Sequence, residues 1–236
     1  MRPPLAAVIA AHGVLRERLA DLDDARVAEP SSLPGWSRGH VLAHLTDNAR
    51  MFARLADHSM RDELVETYEG GVDERNAIIE AAAGRSAAEH RRALAEQTAR
   101  LEASWATAGD RDWSRPVLFR NADIAATVFA RWREVWIHLV DLDLGVRPAE
   151  WPDDLAAHAI DFLLIRLPAG TSLRAADSER RWSTGGGPGP VVTGEVRDLA
   201  AWLAGREPAV PPTSPSGLPD LGPWPPHPAR PAGPAR

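Results

Sequence analysis

The 236-residue sequence contains no cysteine and no lysine. Without cysteine, the chain forms no disulfide bond and supplies no thiolate as a nucleophile or a metal ligand. Any sulfur chemistry at this protein therefore needs a small-molecule thiol. Without lysine, all 27 basic residues are arginines, which excludes a lysine Schiff base.

Positive charge is also in deficit, because the formal net charge is -6. This argues against a nucleic-acid partner that is bound through a broad basic surface. The apolar run near the N-terminus is soon broken by His12 and Arg16, so it is too short to span a membrane and lacks a signal-peptide pattern. With 44% hydrophobic and 25% charged residues, we expect a cytoplasmic globular protein with no membrane partner.

Apolar residues recur every three or four positions in several long segments, which predicts amphipathic helices. Ser37 and Ser86 precede two of these segments and are plausible N-caps, and Gly145 follows another as a stop signal. Four long helices with loops between them favour a bundle. The predicted long helices cover residues 4–22, 38–57, 86–107 and 123–144.

The character of the chain changes after residue 150. Residues 153–167 predict a helix, residues 171–183 alternate loosely as a strand would, and residues 191–206 predict a short strand that leads into a helix. From Pro208 onward, 11 of 29 residues are proline, which predicts a tail without a packed core of its own. The sequence thus predicts an α+β chain with a helical bundle (1–150), a small α/β domain (151–207) and a proline-rich tail (208–236).

Two pairs of polar residues stand out on the predicted helices. Glu134 and His138 are four residues apart in an otherwise apolar run, and His40 and His44 have the same spacing on an earlier helix. Residues at i and i+4 share a helix face, so facing helices could bring three or four ligands to one ion. Two histidines and a carboxylate suit zinc and other divalent ions, with positions left for substrate. Either pair could equally be an ordinary intrahelical or core contact.

Two aspartates lie one turn beyond the histidines of these pairs. Asp47 follows His44, and Asp141 follows His138. Either carboxylate could orient an imidazole from behind, and either could equally be solvated. The nine tryptophans fit a packed core and are given no role in a pocket.

The segments that carry these pairs resemble a known family. "SSLPGWSRGHVLAHLTDNARMF" (31–52) and "RWREVWIHLVDLDLG" (131–145) resemble the two signatures of the mycothiol-dependent maleylpyruvate isomerase family. "VRDLAAWLAGR" (196–206) resembles, more weakly, the closing motif of that family's second domain. The resemblance spans about residues 1–207, and it implies a DinB-like four-helix metal-binding bundle followed by a small α/β domain.

The resemblance also implies roles for individual residues. The family's metal ligands correspond to His44, Glu134 and His138, and His40 corresponds to a position beside the pocket. The arginine of the closing motif is Arg206, which would serve the active site. Arg206 could equally be a cation that stabilises the C-terminus of a helix.

The function implied by the resemblance is cis-trans isomerisation of maleylpyruvate to fumarylpyruvate in gentisate-type aromatic degradation. The expected cofactors are a divalent metal ion, most simply zinc, and the thiol mycothiol, which would make up for the missing cysteine. Two alternatives stay open: a mycothiol S-transferase acting on electrophiles or a biosynthetic intermediate, and a binding module without catalysis. We expect a monomer.

Overall fold

The structure is a computed structural model, and it describes residues 3–225. These residues form two compact units, 3–144 and 145–225, and each is described by itself. No helix within the described range is long and apolar enough to cross a membrane.

The described part of the first unit is built from six α-helices and one short β-pair, besides two short 3-10 turns. Helices α1, α3, α5 and α6 pack together as a bundle, and α4 lies against α3. Strands β1 and β2 pair antiparallel between α5 and α6. The elements are α1 (Leu5–Arg18), α2 (Asp24–Ala28), α3 (Arg38–Ser59), α4 (Gly71–Ala83), α5 (Ala87–Ala106), β1 (Pro116–Val117), β2 (Ala122–Asp123) and α6 (Ile124–Asp141).

Side-chain caps fix where the two long central helices begin. The Ser37 hydroxyl accepts a hydrogen bond from the backbone N–H of His40 at the start of α3. The Asp123 carboxylate accepts one from the backbone N–H of Ala126 at the start of α6. Such caps satisfy N–H groups that have no partner inside the helix. They fix the first turn of each helix.

A buried arginine ties three helices of the bundle together. Arg131 of α6 is fully buried, and its Nη1 donates to the Leu45 carbonyl at 2.8 Å and to Asn48 at 2.9 Å on α3. Its Nε donates to Nε2 of His12 on α1 at 3.1 Å. Because arginine has no acceptor, His12 carries its proton on Nδ1, which donates to Glu102 of α5 at 2.7 Å.

The described part of the second unit contains a three-stranded sheet and two α-helices, besides two short 3-10 turns. Strand β3 lies in the centre, antiparallel to β4 and parallel to β5, and α8 follows β5 directly. Helices α7 and α8 pack against each other, and α8 also packs on β3 and β5. The elements are α7 (Asp153–Leu163), β3 (Ser172–Ala175), β4 (Arg181–Ser183), β5 (Val191–Gly194) and α8 (Val196–Leu203). The predicted α+β class is confirmed.

The described part of the proline-rich segment packs on the second unit. Thr213 pairs with Thr193, the third residue of β5, through two backbone hydrogen bonds of 2.8 Å. Gly222 exchanges hydrogen bonds with Arg166, whose guanidinium also lies over the ring of Trp224 at 5.5 Å. Residues 208–225 thus belong to the second unit, and the rest of the predicted tail, 226–236, lies outside the described residues.

Candidate metal centre

Three of the predicted ligands converge inside the first unit. Nε2 of His44 on α3 lies 2.8 Å from Oε2 of Glu134 on α6, and Nε2 of His138 lies 3.3 Å from the same oxygen. One potential ligand atom from each residue lies within 4.8 Å of the others. The side chains of His44 and His138 are 9% and 14% exposed, whereas that of Glu134 is 33% exposed. The two histidines are therefore largely buried in the bundle, whereas Glu134 is accessible to solvent.

These distances fit a shared divalent ion. Ligand atoms around an ion with bonds of about 2.0–2.1 Å lie about 3.3 Å apart in a tetrahedron. Two imidazole nitrogens and one carboxylate oxygen are ligands that zinc accepts, and three protein ligands leave a position for a small molecule. His44, Glu134 and His138 are the residues that would hold the ion.

Asp141 holds the His138 ring from the side away from the cluster. Oδ2 of Asp141, whose side chain is 1% exposed, lies 2.8 Å from Nδ1 of His138. This contact leaves Nε2 directed at the cluster, which is the arrangement that orients metal-binding histidines. Burial by itself lowers the pKa of His138, but the hydrogen bonds to Asp141 and Glu134 outweigh burial and raise it.

The other two members of the cluster have pKa shifts that favour metal binding. Burial lowers the pKa of His44, which keeps its ring neutral. Burial alone would raise the pKa of Glu134, but the hydrogen bonds to His138 and His44 hold it well below its ordinary value. A neutral imidazole beside an ionised carboxylate is the protonation state that ligates a metal.

His40 takes part in the helix cap. Its Nδ1 lies 2.7 Å from the hydroxyl of Ser37 and accepts the backbone N–H of that residue at 3.1 Å. Its Nε2 lies 3.2 Å from Glu80 of α4. His40 thus fills the position that Glu or Gln occupies in the usual capping box. In the described structure it does not belong to the three-residue cluster.

Asp47 lies one turn after His44 but has other partners. Its carboxylate accepts hydrogen bonds from Arg50 at 2.8 Å and from the hydroxyl of Tyr68 at 2.5 Å. Burial, together with the hydrogen bond to Asp47, raises the pKa of Tyr68, so the phenol stays protonated. Through its bond to Tyr68, Asp47 therefore links α3 to the loop before α4.

Sequence reasoning missed two neighbours of His44. The ring of Trp36 lies 5.9 Å from that of His44 in an edge arrangement and 6.0 Å from that of His40 in a stacked one. Trp36 therefore lies beside the cluster, although the tryptophans were given no role there. On α4, Nη2 of Arg75 lies 3.1 Å from Nδ1 of His44. Trp36 could have been found from its place in the first signature, whereas the pattern around Arg75 gave no signal.

Arg206 lies in the second unit, just after α8. Gly205 adopts a positive φ of 69° and ends the helix, with the N–H groups of Gly205 and Arg206 bonded back to Trp202 and Ala201. This is a Schellman cap, for which glycine is the preferred residue. The Arg206 guanidinium donates to the Ala204 carbonyl at 2.5 Å and lies over the ring of Trp224 at 5.8 Å. The cap and the indole together fix where this cation lies.

The fold and the cluster define a class of protein, namely a helical bundle with a candidate metal centre, followed by a small α/β unit. The family model for the mycothiol maleylpyruvate isomerase N-terminal domain matches residues 8–143. The chain belongs to this family, and it is an enzyme. No significant relative was found among curated proteins.

Two solved structures resemble the chain over nearly its whole length. One is the crystal structure of the mycothiol-dependent maleylpyruvate isomerase, with 27% identity, a TM-score of 0.81 and 94% coverage of both chains. The other is a mutant of that isomerase with one histidine replaced by alanine, with 26% identity, a TM-score of 0.80 and the same coverage.

Proposed function

We propose that the protein is a metal- and mycothiol-dependent cis-trans isomerase that converts maleylpyruvate to fumarylpyruvate. The observation that carries the proposal is the convergence of His44, Glu134 and His138 at ligand distances in a chain of this family. The activity of the similar solved enzyme supports the same substrate and the same thiol.

The chemistry of the bound ion and thiol explains how a chain without cysteine could act. A divalent ion keeps a coordinated thiol in its thiolate form, and reversible addition of that thiolate to the activated double bond would turn it into a single bond that can rotate. The chain then needs to hold the ion and orient the substrate.

The residues of the chain divide these tasks. His44, Glu134 and His138 hold the ion, and Asp141 fixes the ring of His138 by accepting the proton on Nδ1. Arg206 pairs with a substrate carboxylate, because a guanidinium offers two parallel N–H donors to the two carboxylate oxygens. Trp36 packs beside the His44 ring, with the two ring centroids 5.9 Å apart.

The test is product analysis with the purified, zinc-loaded protein, mycothiol and maleylpyruvate. We expect fumarylpyruvate to appear without net consumption of mycothiol. A stable thiol adduct as the product would instead indicate an S-transferase, and failure to convert maleylpyruvate would contradict the proposal.

Metal analysis of variants tests the centre itself. We expect about one divalent ion per wild-type chain, since residues 3–225 bring one such ligand set together. We expect loss of that ion in folded His44→Ala, Glu134→Ala and His138→Ala. Circular dichroism checks the fold of each variant. A wild-type protein that stays metal-free after zinc loading would contradict the role of the cluster.

A further inference from the structure

The contact between Arg75 and His44 fixes the proton on the His44 ring. Arg75 is half-buried on α4, and its Nη2 lies 3.1 Å from Nδ1 of His44. A guanidinium has only donors, so Nδ1 is the acceptor. The neutral ring then carries its proton on Nε2, where Oε2 of Glu134 accepts it at 2.8 Å.

This proton lies on the atom that would bind the ion. Nε2 of His44 faces Glu134 within the cluster, so it must offer its lone pair to a metal. The ring can stay neutral if one proton leaves Nε2 and one is taken up at Nδ1. Nδ1–H and the N–H of Arg75 would then be two donors facing each other, which cannot form a hydrogen bond. Metal binding through Nε2 therefore displaces Arg75 from His44.

Once displaced, the Arg75 guanidinium would lie next to His44, which is itself a candidate ligand of the ion. Its Nη1 donates at 3.1 Å to the side chain of the exposed neighbour Asn76. By contrast, Arg131 is fully buried and bonded to Leu45 and Asn48. Arg75 is thus a half-buried cation beside the cluster, and it is less enclosed than Arg131.

We propose that Arg75 is an anion-binding residue that metal loading releases from His44 and that then pairs with a carboxylate of the substrate. This inference rests on the proposed function, whose substrate carries a carboxylate at each end. The fork of N–H donors in arginine matches a carboxylate, and the chain has no lysine to do this work.

The first test is zinc affinity without mycothiol or substrate, measured by competition with a chromophoric chelator. Arg75→Met keeps the length of the side chain but removes the donors and the charge. We expect zinc to bind Arg75→Met about tenfold more tightly than wild type, which is the usual size of an effect from a partner of a ligating histidine. Arg85→Met removes an exposed arginine just beyond α4 and should leave the affinity unchanged. Equal or weaker zinc binding by Arg75→Met would overturn the displacement.

Nitrogen NMR of the histidine rings measures directly which nitrogen of His44 carries the proton before and after zinc loading. In the metal-free protein, His44 should be the Nε2–H tautomer, and after zinc loading it should be the Nδ1–H tautomer. A His44 ring that carries its proton on Nδ1 in the metal-free protein would contradict the argument.

The second test uses maleate, a stable dicarboxylate, as the probe for calorimetry on the zinc-loaded protein. We expect Arg75→Met to bind maleate about tenfold more weakly than wild type, Arg75→Lys to restore part of the affinity, and Arg85→Met to match wild type. Equal maleate affinity in Arg75→Met and wild type would overturn the anion-binding role. Neither test depends on turnover, so a protein that passes both but does not isomerise maleylpyruvate would refute only the proposed function.

Discussion

At the scale of single residues, His138 is held between two carboxylates that do different work. Glu134 lies in the cluster with a third of its side chain exposed, whereas Asp141 is buried behind the ring. Only Asp141 can keep the ring in place when an ion takes the other nitrogen. The buried carboxylate therefore matters for affinity although it is not a ligand.

We predict that Asp141→Asn weakens zinc binding by about 10- to 100-fold while the protein stays folded. The amide can still accept the Nδ1 proton, but it loses the negative charge that makes the ring a better ligand. Competition with a chelator measures the affinity. Asp57→Asn, which removes a carboxylate paired with the exposed Arg100, is the matched control and should bind zinc like wild type. Equal affinity in both variants would show that Asp141 does not orient His138.

A second residue-scale prediction concerns the buried ring of His12. Burial lowers its pKa to about 4, and the nearby Arg131 acts in the same direction, although the hydrogen bond to Glu102 opposes both. The unfolded chain takes up a proton near pH 6.5, before the folded protein does. Stability is therefore lost as the pH falls from about 6.5 towards 4, and this one ring accounts for about 2 kcal/mol at pH 5.

His12→Gln removes this titration but can keep both hydrogen bonds, since the amide offers an acceptor to Arg131 and a donor to Glu102. Denaturant unfolding in the presence of a chelator, at pH 7 and at pH 5, measures the difference. We expect the variant to lose about 2 kcal/mol less than wild type between the two pH values. The same pH dependence in both proteins would mean that His12 is not held neutral.

At the scale of elements, α3 and α4 approach each other at a glycine. A methyl group on Gly39 would lie 2.1 Å from the Ala83 carbonyl oxygen and 3.2 Å from Val27. The first of these atoms belongs to the backbone and cannot turn aside. This approach decides where α4 lies on α3, and therefore where Arg75 meets His44.

Gly39→Ala should lower the free energy of unfolding by about 1–3 kcal/mol, although alanine is the better helix former, because the two helices must separate. Gly13→Ala on α1 is the matched control: the added methyl group meets only the end of the Arg16 side chain, at 3.9 Å. That variant should gain up to about 1 kcal/mol. Chemical denaturation measures both, and a stabilised Gly39→Ala would contradict the close approach.

The elements also show why part of this structure could be predicted and part could not. A helix of 14 to 22 residues repeats its apolar period several times, so α1, α3, α5 and α6 were predicted near their observed bounds. Helix α2 has five residues and the strands β1 and β2 have two each, which is too short for any period to show.

The candidate site divides in the same way. Its polar residues were visible because each interrupts an apolar helix face, but the pattern could not separate His40 from His44. The difference arises from position: His40 is the third residue of α3 and bonds to the cap, whereas His44 is one turn deeper, where α6 is near. Arg75 reaches His44 through the packing of α4 on α3, which local spacing does not encode.

At the scale of the whole molecule, the proposed chemistry draws on both units. The three candidate ligands are in the first unit, and Arg206 is in the second. The position of Arg206 depends on its own unit, through the helix cap at Gly205 and the indole of Trp224. Metal binding and turnover should therefore respond to different variants.

We predict that Arg206→Met retains the metal content of the wild type but loses about 10- to 100-fold in turnover, the size expected when a charged partner of a carboxylate is removed. Metal analysis and the isomerisation assay, run on the same preparation, separate the two effects. Arg174→Met, which removes an exposed arginine from β3, should retain both. If Arg206→Met keeps full turnover but unfolds more easily, the arginine serves only the C-terminus of α8. If Arg206→Met does lose turnover and the indole positions the guanidinium, Trp224→Ala should have a turnover between those of wild type and Arg206→Met. If Arg206 acts only on its helix, Trp224→Ala should leave turnover unchanged.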